Sequence, residues 1–246
     1  MRSLALGALA LTLLPAGCES GSGGDFGQVL GDVLSGIEGT QGSGGELTLA
    51  EIDAGLRQAL EIGTNRVASQ IGVEDGYWQD PQIRIPLPGR LGDVQKQLSN
   101  VGLSGPLDEL QLRMNRAAED AVPAGKQIVI DAVQSITIED ALGILRGGDT
   151  AATDFLRGRT EASLRQTFTP YVETALDSSG AYQALDSVTA NQPLLAIAAT
   201  DYKSDLTTYA VQFGLDGLFN YLAVEEQKIR DNPVARTTEL LRRVFG

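Results

Sequence analysis

The stretch DLTTYAVQFGLDGLFNYLAVEEQKIR, residues 205–230, decides the fold. Wound at about 3.6 residues per turn, its Tyr209, Val211, Phe213, Leu215, Leu218, Phe219, Leu222 and Val224 point in nearly all directions. A helix that is apolar all round is covered by neighbours on several sides. Residues 205–230 therefore read as the central helix of a bundle, and the rest of the chain must supply its neighbours.

Working outward, those neighbours carry helix punctuation. Thr48 with Glu51 spells a capping box, and Leu49, Ile52, Leu56, Leu60, Val67 and Ile71 mark one face of a long helix closed by Gly72. A short helix is expected around Leu91, Val94, Leu98 and Val101. Ser104-Gly105-Pro106 starts another, with Asp108 and Glu109 in its first turn and Leu107, Leu110, Met114, Ala117, Ala118 and Ala121 as its buried stripe. Pro123 is expected to end or kink it, with helix resuming to about Ser135. Thr137 with Asp140 caps the next helix, which stops at Gly147-Gly148. Asp149 is expected to cap a short helix and Thr160 to open a longer one, kinked at Pro170. Residues 181–202 read as two short helices split near Pro193, and Asn232-Pro233 starts a last helix carrying Leu240, Leu241, Val244 and Phe245.

One segment breaks the pattern. Pro81, Pro86, Pro88 and Gly89 forbid a helix, so Ile83-Arg84-Ile85-Pro86-Leu87-Pro88 must be extended. No stretch shows sustained period-2 alternation with hairpin turns. The fold class is all-α: a multi-helix bundle with a buried central helix, one extended proline-rich segment and no sizeable sheet.

The beginning of the chain reads as an address. After Arg2, Leu4 to Leu14 is apolar, too short to span a bilayer, and fits a secretory signal. It ends Leu14-Pro15-Ala16-Gly17-Cys18, which resembles the lipobox of bacterial lipoproteins, with Pro15 standing where Leu is usual. The resemblance implies cleavage before Cys18 and acylation of that cysteine. The other reading is an ordinary cleaved signal with an incidental cysteine. Glu19 follows, and lack of Asp there favours the outer membrane by resemblance to lipoprotein sorting. Residues 20–46 hold ten glycines and read as a tether, in which Phe26, Val29, Leu30, Val33, Leu34 and Ile37 fall at the spacing of a marginal helix. The expected organisation is a signal peptide at 1–17, a lipid-anchored tether at 18–46, and a single helical domain at 47–246. The protein is expected on the periplasmic side of a bacterial membrane.

Composition excludes several chemistries. The 246 residues carry 19 Lys and Arg against 32 Asp and Glu, a net charge of −13, with no His and one Cys. Without His there is no Ser-His-Asp triad, no Cys-His pair and no His metal site. One cysteine permits no intramolecular disulfide. The acidic balance argues against nucleic acid and against electrostatic docking on anionic lipid. The expected membrane contact is the lipid anchor alone. No cofactor and no metal site is expected.

Three polar clusters stand out. Asn115, Arg116 and Glu119 lie at i,i+3 and i,i+4 on an otherwise small, apolar helix. They read either as a pocket wall, with Arg116 holding an anion, or as an inter-helix network. Glu225 and Glu226 precede Arg230; Glu226–Arg230 is a favourable i,i+4 pair, while the adjacent acids diverge by about 100° and rarely share one ion. Asp216 sits in the apolar helix beside Gly217 and, once buried, needs a partner, with Arg116 or Arg146 as candidates. Several of Arg116, Glu119, Asp216, Glu225, Glu226 and Arg230 are expected to form one polar network between the Met114 helix and the central helix. Gly147-Gly148 before Asp149 lacks a Walker lysine and a preceding strand, and Glu74-Asp75-Gly76 lacks the spaced acids of an EF-hand.

Together the segments Ile83–Pro88, Met114-Asn115-Arg116-Ala117-Ala118-Glu119, Asp140-Ala141, Ile144-Leu145-Arg146-Gly147, Ala151-Ala152-Thr153, Asp216-Gly217-Leu218-Phe219, Glu225-Glu226, Ile229-Arg230, Asn232-Pro233 and Val244-Phe245-Gly246 resemble the domain of unknown function 4197 family. The resemblance covers about residues 48–246. It implies a helical, exported protein and supplies no catalytic residues.

Three functions compete. The favoured one is a non-enzymatic, lipid-anchored module that binds a protein or small ligand in the periplasm. The second is a carboxylate-dependent envelope enzyme such as a glycan hydrolase, which needs two carboxyls facing each other about 5–10 Å apart. The third is a structural envelope protein. An open cleft with facing acids favours the enzyme; acids paired with Arg favour binding or structure.

Overall fold

The computed structural model describes residues 48–178 and 202–231. Among the described residues the chain forms six helices and no strand: α1 (Leu49–Ile71), α2 (Gly89–Ser99), α3 (Gly105–Gln134), α4 (Ile138–Arg146), α5 (Ala151–Ser178) and α6 (Tyr202–Asp231). The architecture is the all-α bundle expected. Cys18, the Gly-rich stretch with its Phe26–Ile37 spacing, residues 181–201 around Pro193, and the expected last helix from Asn232 lie outside the described residues.

Local chemistry sets several boundaries. Thr48 Oγ1 accepts the Glu51 N–H, and the Glu51 carboxylate accepts the Thr48 N–H at 2.8 Å, completing the first capping box. Thr137 and Asp140 form the second at the start of α4. Both satisfy N–H groups that a helix start leaves open. The buried stripe of α1 begins at Leu56, not at Leu49, which is 52% exposed. Val101 likewise falls beyond the end of α2 and is exposed.

Pro123 does not end its helix, and the expected boundary at Thr160 is absent. Pro123 lies inside an unbroken α3, on its exposed side, opposite buried Ala121, Val122 and Gly125. A mid-helix proline costs about 3 kcal/mol, and the packing of that buried face outweighs it. Asp149 and Thr160 do not start separate helices either. α5 runs unbroken from Ala151, and Thr160 turns its hydroxyl back onto the Leu156 carbonyl at 2.7 Å.

The helices pack through small residues. α3 lies most extensively along α5 and also touches α1, α2 and α6, while α6 packs on α1, α3 and α5. A Cβ built at Gly125 of α3 would come 2.8 Å from the Phe168 ring of α5. Gly214 of α6 lets Ala118 and Phe168 come close. The core so enclosed includes Leu110, Met114, Leu164, Phe168, Leu215 and Phe219. α6 is central but not covered all round: Phe213 remains 39% exposed.

Residues 73–88 form a strap of turns followed by an extended run, crossing α3 and α6 rather than joining a sheet. Gly217 is where it comes closest to α6: a Cβ there would lie 2.8 Å from the Tyr77 ring and 3.1 Å from Ile83 Cβ. Gly217→Ala is therefore expected to lower stability by about 1–3 kcal/mol through overpacking. Gly143→Ala, in α4 with nothing within 4 Å, is expected to raise it by up to about 1 kcal/mol. Denaturant midpoints of the two variants check the contrast.

Candidate functional site

The strap has no strand to satisfy its backbone, so α3 does it with side chains. Glu119, 2% exposed, accepts the N–H groups of Tyr77 and Trp78 on Oε1 at 2.9 and 3.0 Å. Its Oε2 accepts the Asp75 N–H at 3.2 Å and Arg116 Nη1 at 2.8 Å. Arg116 extends the chain of bonds, donating Nη2 to Asp75 Oδ1 at 2.6 Å. Asp75 adopts a left-handed turn, φ 71°, which few non-glycine residues do. Burial alone would lower the Arg116 pKa, but bonds and charge from Glu119 and Asp75 outweigh that and hold it above the ordinary arginine value.

Asn115 plays the part of a neighbouring strand. Its Oδ1 accepts the Ile85 N–H at 2.8 Å, and its Nδ2 donates to the Ile85 carbonyl at 3.0 Å. Ile83, Ile85 and Leu87 are buried beneath, while Arg84 and Pro86 face outward. The fully buried Tyr77 hydroxyl donates to the Gly214 carbonyl of α6 at 2.7 Å. Burial, then the nearby Glu119 charge, push the Tyr77 phenol far above its usual range. Tyr221 of α6 donates to Asp80 of the strap; burial first, then that bond and charge, raise its pKa to about 12.

The residues expected to contribute to one network between α3 and α6 fall into separate groups, in which charges pair within their own helix and reach out to the strap or to other helices. Arg116 and Glu119 hold the strap. Glu226 accepts the N–H groups of Ala152 and Thr153 at 2.9 and 2.8 Å, so it caps the start of α5 from another helix. Arg230 pairs with Glu226 at 2.7 Å, as its spacing implied, and also donates to the Ile144 carbonyl at the end of α4. Glu225 pairs with Lys228 and with Arg66 of α1. Asp216 is corrected most: its side chain is 46% exposed, and its partner is Arg157 of α5 at 2.9 Å, not Arg116 or Arg146. Gln212 donates to its other oxygen at 3.1 Å.

An open cleft of about 730 Å³ lies between the strap, the start of α5 and α6. Arg84, Thr150, Asp154, Arg157, Phe213, Asp216 and Asn220 line it. Arg157 stacks over the Phe219 ring at 4.5 Å, and Arg84 over Trp78 at 4.9 Å. Asp216 is the one expected site residue on this wall. Arg84 was legible as an outward residue, since period-2 alternation opposes it to Ile83 and Ile85. Arg157 and Asp154 carry no local signal that separates them from surface charges. Among the described residues no three Asp, Glu, His or Cys side chains converge as a metal site, and no helix is long and apolar enough to cross a membrane.

The motif stretches meet in this architecture. Met114–Glu119 anchors the strap, while Ile83-Arg84, Thr153 and Asp216–Phe219 contribute to the cleft wall. A family model described as protein of unknown function (DUF4197) matches residues 46–246. The chain belongs to the DUF4197 family. No curated protein and no solved structure was found to match it. In this DUF4197 chain the Asn115, Arg116 and Glu119 set builds the strap, and the strap forms one side of the cleft.

Burial separates these charges energetically. Glu119→Ala leaves three strap N–H groups and a guanidinium without their acceptor and is expected to cost about 3–5 kcal/mol. Asp216→Ala, at a half-exposed pair, is expected to cost less than about 1 kcal/mol. Thermal melts of the two variants test this ranking. The Tyr221 phenol sets an alkaline limit. The folded state holds that proton more tightly than the unfolded chain, where a phenol titrates near 10, so stability falls as pH climbs from 10 to about 12. Tyr221→Phe is expected to make the fall shallower in a denaturation series through that range.

Proposed function

We propose that the protein is a lipid-anchored helical module on the periplasmic side of the outer membrane, and that it works by binding, with the cleft as its ligand seat. The observation that carries this reading is the commitment of the four carboxylates that the sequence singled out. Glu119, Asp216, Glu225 and Glu226 are the acids a glycan hydrolase would draw on, and each pairs with an Arg or Lys. Glycoside hydrolysis needs two carboxyls facing across the scissile bond, about 5–10 Å apart, with one of them protonated. Acids committed to guanidinium groups and backbone N–H groups do not fill those roles. The cleft lies within the roughly 300–1,000 Å³ usual for ligand sites.

The anchor reading rests on Leu14-Pro15-Ala16-Gly17-Cys18 followed by the Gly-rich stretch. A net charge of −13 gives no attraction to anionic lipid, so the acyl chains on Cys18 carry the attachment. Cys18→Ser is expected to move the protein from the membrane to the soluble fraction; unchanged fractionation with no lipid on the mature chain refutes the anchor. For the cleft, amide exchange of the full chain is followed with and without fractionated periplasmic extract. The expected result is slowed exchange at residues 150–157 and 213–223, abolished in Ala223→Trp at an unchanged melting temperature. No protection in any fraction overturns the binding reading in favour of the structural one.

A further inference from the structure

Four charged side chains line the cleft; Arg157 and Asp216 neutralise each other, and the two that remain have opposite signs. Asp216 has both oxygens engaged, by Arg157 and by Gln212. The N–H groups of Ala152 and Thr153, where an anion would otherwise sit at the start of α5, are taken by Glu226. Arg84 and Asp154 remain, lining the same cleft, and among the described residues neither has an ion-pair partner.

Both are held in place. Arg84 is fixed through its Nε, which donates to the Trp78 carbonyl, and by its stacking on the Trp78 ring, which leaves the two Nη groups as a fork. Asp154 has Oδ2 held by the Thr150 hydroxyl at 3.1 Å, which leaves Oδ1 open. Groups already ordered before binding lose little entropy on meeting a ligand.

We infer that the cleft takes a short zwitterionic peptide, its carboxylate on Arg84 and its ammonium on Asp154. This rests on the binding reading above and names the ligand class of that same site. A ligand carrying one sign of charge leaves Arg84 or Asp154 unmet. A chain of net charge −13 repels anions, whereas a zwitterion carries no net charge to repel. The same cleft also offers the Asn220 amide for peptide groups and the exposed Phe213 ring for an apolar side chain.

The test is calorimetric titration of the full chain with the tripeptide Ala-Phe-Ala, its N-acetyl form and its C-terminal amide. The unblocked tripeptide is expected to bind, and each block to weaken binding at least tenfold. Arg84→Gln removes the penalty of the amide alone, Asp154→Asn that of the acetyl group alone, and Arg84→Lys keeps both penalties, all at unchanged melting temperature. Equal binding of blocked and unblocked peptides overturns the inference, as does a penalty that survives the matching substitution. Failure of the tripeptide to bind while extract still protects the cleft overturns the peptide assignment alone. Failure of both removes the binding reading with it.

Discussion

One buried carboxylate holds the arrangement together. Removing Glu119 from water costs several kcal/mol unless every lone pair is met, and here four donors meet it: the N–H groups of Asp75, Tyr77 and Trp78, and the Arg116 guanidinium. The requirement acts in both directions. The strap has no sheet partner for those N–H groups, so its position is set by where α3 places one side chain. Tyr77 can then reach the Gly214 carbonyl, and Ile83 can settle over Gly217, which ties the strap to α6 as well.

The same solution recurs wherever the backbone leaves regular structure. Asn115 stands in for a strand beside Ile85. Glu226 completes the start of α5, and Arg230 joins it to the last carbonyls of α4. A helical protein satisfies most peptide groups within its helices, and the remainder need side chains from elsewhere. Buried Asn115 and Glu119 of α3 and buried Glu226 of α6 are accordingly committed to backbone groups of other segments. Their concentration in the family motifs is explained by architecture before any chemistry is invoked.

The cleft follows from these anchors. Glu119 and Asn115 hold its strap wall, and Glu226 holds the first turn of α5 against α6. Pro86 and Pro88 lack N–H groups, so the extended run offers little of an open strand edge, and what it presents outward is side chains. Arg84 and Asp154 line this cleft together, with the Arg157–Asp216 pair joining α5 to α6.

What the sequence alone determined was local. Both capping boxes, the Gly72 and Gly147 stops, the extended prolines, the Glu226–Arg230 pair and the all-α class rest on contacts within a few residues, where spacing is geometry. Tertiary structure decided the rest. Asp216 was matched in expectation to Arg116 or Arg146 and found Arg157, because partners across helices depend on which faces meet, and no spacing encodes that. Pro123 and Thr160 carry breaking or capping signals worth about 1–3 kcal/mol, and the burial of a continuous helix face exceeds them. Glu119 was legible as a charge needing a partner. That its partners would be peptide N–H groups more than forty residues earlier was settled only when the strap crossed α3.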